Sequence, residues 1–399
     1  MLKVFKEHSG FKLLLISTLL WALGYGIYKG VIDNYLAEVV MMAETDRGIT
    51  EFFRELPGLM LVFIIALFYT FSAERFYRMG ALIMMVGMGL LSFVSPTKIL
   101  IILAVTVYSL GEHIQLGMRN TLTINYAQDG KEGRALGYQN SIQMIGTLIG
   151  YLVIVAAFLI NPNISEYKYF FAVATVFMVL TFVSTLGLKN ESQTDKSASR
   201  FYFKKKFTKF YMLEMFYGAR KQVFFTFGPY VLILQYGASA TVISLLFAIS
   251  SVACFLLSPV VGKIIDKIGY KIVMIMDTII LVVVCFFYGF AHRIFPENIA
   301  FIVCCANYVL DSVISLASLA SNVYVKDISD NQEEVKATIS TGLSINHLVT
   351  IFIALFGGWI WKALGIEVLF IVSAVLGLCN SAYAATIKVP AKTKEQQTE

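Results

Sequence analysis

The sequence predicts an all-α membrane protein of twelve transmembrane helices arranged as two six-helix bundles. Three observations carry this. The 399 residues are 58% hydrophobic and only 15% charged, whereas a soluble domain carries roughly 25% charged residues. Apolar runs recur at about 20 residues, the length of helix that crosses a ~30 Å hydrocarbon core. The second half repeats features of the first. Only helices and closed barrels satisfy their backbone in lipid, and these runs are too long and too continuous for barrel strands.

The predicted spans are 11–36, 56–73, 79–95, 98–125, 135–161, 168–188, 210–236, 240–264, 271–291, 297–325, 337–361 and 365–387. The first begins after a basic flank and is too long for a signal peptide. The second has a short uncharged part, so its helix is expected to begin upstream near Thr50, with Pro57 distorting its first turns. Cys254, Cys285, Cys304, Cys305 and Cys379 all fall in apolar segments and read as packing residues, neither disulfides nor metal ligands.

A hydrophilic stretch, 189–209, separates residues 1–188 from 210–399. It holds Lys189, Lys196, Arg200, Lys204, Lys205, Lys206 and Lys209 against Glu191 and Asp195. The predicted organisation is an N-terminal bundle, a basic cytoplasmic connector and a C-terminal bundle. Loops on the connector's side are rich in Lys and Arg, whereas the opposite loops hold Arg47, Lys98, Lys168, Arg293 and Lys362. Cationic loops face the cytoplasm, so both termini are expected there, in a multi-pass protein of a bacterial plasma membrane. This bias and anionic lipid headgroups account for the net charge of +6. Nucleic-acid binding is not needed to explain it.

Tyr108, Tyr126, Asp129 and Glu132 recur as Tyr308, Tyr324, Asp327 and Glu334, at an offset of about 200 residues. Repeats of this kind mark transporter halves related by an axis along the membrane normal. Between spans eight and nine stands GKIIDKIGYK, from Gly262 to Lys271, which fits G-x-x-x-D-[RK]-x-G-x-[RK]; Gly262 and Gly269 read as turn residues. The matching loop of the first half, FSAERFYRMG, keeps Glu74, Arg75 and Arg78 without the glycines. With the closing segment GGWIWKALGIEVLF, the loop resembles the signature of the major facilitator superfamily (MFS). The resemblance implies secondary transport by alternating access, and gating by Gly262, Asp266, Lys267, Gly269, Glu74 and Arg75. Alternatively, these charges only mark the cytoplasmic face. Gly137, Gly146 and Gly150 in the fifth span are similar to part of an antiporter signature in that superfamily, but Tyr151 stands where its proline step should follow. Close helix approach is the competing explanation.

Ionisable residues inside spans are the sharpest functional signal. A charge facing lipid at mid-depth costs roughly 2.5–3.5 kcal/mol, so such groups face a cavity or a partner. Arg220, Lys221 and Gln222 lie near the middle of the seventh span, with Tyr217 one turn before and Glu214 below. Glu112 and His113 lie mid-way along the fourth, and Asp311 mid-way along the tenth. Helical spacing puts Tyr108, Glu112, Gln115 and Arg119 on one face, Tyr308, Asp311, Ser315 and Ser318 on another, and Tyr25 with Lys29 on a third. The resemblance places spans one, four, seven and ten around a central cavity. The expected substrate residues are Arg220, Lys221, Gln222, Tyr217, Tyr25, Lys29, Tyr108, Glu112, Gln115, Tyr308, Asp311 and Ser315. Glu112, His113 and Asp311 are the candidates for ion coupling, with a proton or Na+ as the ion. Structural ion pairs, Lys29 with Asp33 and Arg220 with Glu112 or Asp311, are the competing explanation. His347 and Asn346 are lesser candidates.

No phosphate-binding G-x-x-x-x-G-K-[ST] loop, no H-E-x-x-H and no G-x-S-x-G occur. No metal site, cofactor or enzymatic constellation is expected. The partners are membrane lipids and a small-molecule substrate, with a polar organic anion or zwitterion preferred over a hydrophobic drug or lipid. A non-transporting receptor of the same fold is the rival from another class.

Overall fold

A computed structural model describes residues 4–6, 9–67, 71–128, 130–161, 166–189 and 203–389. Asp129, most of the connector (190–202) and the C-terminal Lys392 and Lys394 lie outside the described residues. The helices are α1 (Ser9–Asn34), α2 (Glu44–Leu67), α3 (Ala73–Phe93), α4 (Lys98–Tyr126), α5 (Glu132–Ile160), α6 (Lys168–Leu186), α7 (Thr208–Tyr236), α8 (Ala240–Ile268), α9 (Tyr270–Ile294), α10 (Glu297–Ile314), α11 (Leu319–Ile328), α12 (Gln332–Leu364) and α13 (Ile366–Ala385). A π-helical turn, Tyr35–Val39, extends α1.

Twelve predicted spans become thirteen helices because the tenth is broken. Its α-helix gives way to a 3-10 turn at Ser315–Ser318 before α11 continues. Ten helical runs among the described residues are long and apolar enough to cross a membrane. The remaining two, α2 and α7, carry charges within their length. The largest boundary error follows from this: α2 starts at Glu44, well before the predicted residue 56 and upstream even of Thr50. Its first turns are too charged to read as a span, yet Arg47, Glu51 and Glu55 are buried there.

The chain divides into two compact units. The first comprises Met1–Ala198 and Thr226–Val252, the second Ser199–Phe225 and Ala253–Glu399. Within the first unit, the later part of α7 and the start of α8 join the N-terminal helices through specific hydrogen bonds. Tyr230 Oη donates to the Met42 carbonyl (2.7 Å), Asn34 Nδ2 to the Ala238 carbonyl (2.8 Å) and Ser244 Oγ to the Gly30 carbonyl (2.9 Å).

In the same unit α1 and α5 touch backbone to backbone. A Cβ at Gly26 would lie 2.3 Å from the Thr147 carbonyl oxygen, and one at Gly150 2.6 Å from that of Leu23. The glycines of α5 thus have a packing role, as small residues do at membrane helix contacts. Gly137 has open space around it. The start of the chain is pinned here too. Phe5 pairs with Ala127 as an antiparallel bridge and stacks on Phe11 at 4.9 Å.

In the second unit, one residue separates α8 from α9. Gly269 takes φ +86°, a conformation that excludes most side chains. Gly262, expected at a turn, is instead inside α8, because the helix continues to Ile268. The end of the connector is tied down by Lys204 to Glu334 (2.9 Å) and by Lys206 to Glu334 (2.6 Å) and Asp330 (2.8 Å).

Candidate functional site

In the second unit, Arg220 is 3% exposed and bonds through Nη2 to Asp277 Oδ2 on α9 at 2.5 Å. Its guanidinium also lies 4.9 Å above the Tyr217 ring, a cation–π geometry. The expected structural partners, Glu112 or Asp311, are therefore replaced by Asp277. Sequence reasoning missed this residue, although a single acid inside KIVMIMDTIILVVV was the signal that could have found it.

With Arg220 neutralised by Asp277, Lys221 and Asp311 remain. Lys221 is exposed and lies 5.9 Å over Tyr217. Asp311 is half-buried, within the field of Arg220 and Lys221. Neither makes an ion pair among the described residues. Tyr217 Oη donates to the Ser315 carbonyl (2.8 Å), where the tenth span breaks. Gln222 is buried, and Tyr308 and Ser315 are half-buried. Glu214 accepts from Ser321 Oγ (2.8 Å), while its carbonyl accepts from Asn346 Nδ2 (3.4 Å).

In the first unit, a ladder of alternating charges joins α1 to α2. Asp33 accepts from Lys29 (2.8 Å) and Arg47 (3.2 Å), Glu51 accepts from Arg47 (2.8 Å) and Arg54 (2.6 Å), and Arg54 also pairs with Glu55. The predicted Lys29–Asp33 pair is thus the first rung of a longer structural network. Sequence reasoning placed Arg47 in a loop and did not single out Glu51, Arg54 or Glu55.

Next to the ladder, α4 carries Glu112, half-buried within the field of Arg54 and Arg119 and without an ion pair among the described residues. His113 Nδ1 contacts the Ser109 carbonyl (2.9 Å) and is buried. Gln115 and Arg119 are fully buried. Arg119 donates to Gln115 (3.2 Å) and Gln143 (3.0 Å) and covers the Trp21 ring at 3.8 Å. Tyr25 stacks on Trp21 (5.3 Å), and Tyr28 lies against Tyr108 (4.9 Å).

The expected gating residues divide by burial. Glu74 is buried in the first turn of α3, and Arg75 beside it is exposed. Asp266 and Lys267 are exposed on the last turn of α8. Arg78 instead ties α3 to the end of α6, donating to the Leu188 carbonyl at 2.8 Å.

This arrangement is that of a polytopic helical membrane protein with charges of both signs held within its spans. Residues 210–399 match the model of the Major Facilitator Superfamily. The nucleoside transporter NupG has the same fold, at a TM-score of 0.72 and 16% identity over 96% of this chain and 100% of that one. A POT family transporter in complex with 5-aminolevulinic acid gives 0.76 and 13%, covering 95% and 96%. A D-xylose-proton symporter gives 0.73 and 14%, covering 96% and 98%. Comparison with curated proteins yields no match. The second half of the chain thus matches the Major Facilitator Superfamily model, and the chain as a whole has the fold of these transporters, that of an integral multi-pass membrane protein.

Proposed function

We propose that this protein is a secondary transporter that carries a small zwitterion and couples its movement to that of a cation. The observation that carries this reading is the charge balance of the second unit. Arg220 is satisfied by Asp277, which leaves one cation, Lys221, and two carboxylates, Asp311 and the more cytoplasmic Glu214, without an ion pair among the described residues; Glu214 has the Ser321 hydroxyl, and Asp311 is the one in the field of Lys221 and Arg220. Unpaired charges within a span are costly unless a solute or water meets them. A zwitterion supplies both complements, its carboxylate to Lys221 and its ammonium to Asp311. Tyr217, Gln222, Tyr308 and Ser315 lie on the same helices and supply hydrogen-bonding groups. Within the first unit, Glu112 is a separate candidate for ion coupling, on α4 with Tyr108.

The two halves, 1–188 and 210–399, are the bodies that alternate access in this reading. Glu74 and Arg75 are the gating candidates of the first half, and Asp266 and Lys267 those of the second. Both termini are cytoplasmic in a bacterial plasma membrane. Coupling is supported by the neighbour named as a proton symporter and by three carboxylates, Glu112, Glu214 and Asp311, placed within spans.

Uptake into proteoliposomes tests the substrate class. The panel contains amino acids and short peptides, monoanions, neutral sugars and lipophilic cations. Accumulation of a zwitterion under a cation gradient is expected. Accumulation of only a neutral sugar or only a lipophilic cation would overturn the reading.

A further inference from the structure

Apart from the charges assigned to the solute, the second unit contains a small cavity of mixed lining. Its polar walls are Glu214 and Tyr217 on α7, Asp277 on α9, Ser318 and Ser321 at the break of the tenth span, and Asn380 on α13, and Leu213, Met274 and Ala317 close the rest. The space admits about one water-sized sphere, too little for an organic solute.

Three features describe what fits. First, the polar side chains of the wall offer oxygens of carboxylate, hydroxyl and amide groups, the ligands of hard cations. Second, Asn380, one of the lining residues, is 4% exposed and its Oδ1 has no hydrogen-bond partner among the described residues. A buried acceptor left unpaired costs about 1–3 kcal/mol, and a cation would satisfy it. Third, the formal charge is minus one. Glu214 and Asp277 contribute two negative charges and Arg220 one positive. Lys221, whose field also acts on Glu214, is exposed and faces the opposing field of Asp311.

The helix break strengthens this. At Ser315–Ser318 the tenth span leaves α-helical geometry, and Tyr217 holds the break by donating to the Ser315 carbonyl. Interrupted membrane helices offer backbone carbonyls to coupling cations at mid-depth. Ser318, the last residue of the break, and Ser321, one turn on, both line the cavity. Ser321 Oγ lies 2.8 Å from Glu214 Oε1 and 2.9 Å from the Ser318 carbonyl, so it joins the break to the carboxylate.

We infer that this cavity binds a single Na+ ion between α7, α9, the break of the tenth span and α13, with Glu214, Asn380 and Ser318 among its ligands. This deepens the transporter reading and rests on it for the ion's role in coupling. Filling the site fixes the break against α7, and thereby the depth of Asp311 one turn before it.

The test is thermal unfolding of the full-length purified protein in NaCl against choline chloride at equal ionic strength. Saturable stabilisation by Na+, of about 3 °C or more, is expected in the wild type. Glu214→Gln and Asn380→Leu should retain the choline-chloride Tm and lose the Na+ response by at least ten-fold in apparent affinity. Asn380→Asp, which keeps the acceptor, should retain a response. The inference is overturned if Na+ and choline give the same Tm, if Glu214→Gln responds like the wild type, or if only pH moves the Tm, which would mark a proton or water site. Should Na+ stabilise the protein while no solute accumulates in proteoliposomes, the ion site stands and the transport reading fails.

Discussion

At the scale of the residue, the Arg220–Asp277 pair separates structural charge from working charge. Removing one partner of a buried pair leaves the other uncompensated and costs about 3–5 kcal/mol. Arg220→Gln and Asp277→Asn should therefore each lower Tm strongly, and the double substitution should recover most of the loss. Equal damage in the single and double variants would show that the pair does not act as a unit. Glu51, acceptor for both Arg47 and Arg54, belongs to the same class. Glu51→Gln should destabilise by a comparable amount in thermal unfolding, and an unchanged Tm would contradict this. The sequence singled out Arg220, Lys221, Glu112 and Asp311 because each interrupts an apolar run. It could not give their partners, because pairing depends on which helices meet. Asp277 interrupts its run just as clearly, but it lies outside the four spans that the family resemblance favours.

Helices show where hydropathy reading works and where it stops. Eleven of the predicted spans begin within a few residues of an observed helix, because lipid demands apolar length. The second failed because α2 satisfies its charges inside the protein. Its ion pairs, one to Asp33 of α1 and three within α2 itself, remove the need for an apolar start, so no apolar signal is present to be read. The close contact of α1 with α5 gives another prediction. Gly150→Leu places side-chain atoms where the Leu23 carbonyl and Gly26 now stand, and folded, detergent-stable protein should be lost. Wild-type yield and Tm would refute this. The connector's end makes a milder case. Hydrogen bonds to Asp330 and Glu334 raise the Lys206 pKa above the ordinary lysine value. A raised pKa means that the anchor is fully present below the unfolded value and is lost as pH rises through the folded one. The anchor therefore holds at neutral pH, and Lys206→Gln should speed limited proteolysis of the connector there. Unchanged cleavage would contradict an anchoring role.

For the whole molecule, the constant offset between halves and the distribution of Lys and Arg were legible because duplication and membrane insertion both leave marks on the linear chain. The fold followed from them. The break of the tenth span was not legible: Ser315–Ser318 reads as helix, and the hydrogen bond that its Ser315 carbonyl accepts comes from Tyr217 of another helix. Nor was the union of residues 226–252 with the first unit, because its hydrogen bonds and ring contacts join segments far apart in the chain. We propose that Lys221 and Asp311 are left unpaired in order to meet opposite charges on one solute. The direct measurement is uptake of a transported zwitterion into proteoliposomes by wild type, Lys221→Gln and Asp311→Asn, each at wild-type Tm. Loss of one charge-assisted contact should cut uptake efficiency by about 10- to 100-fold in either variant. Uptake at the wild-type rate by both variants would contradict the claim.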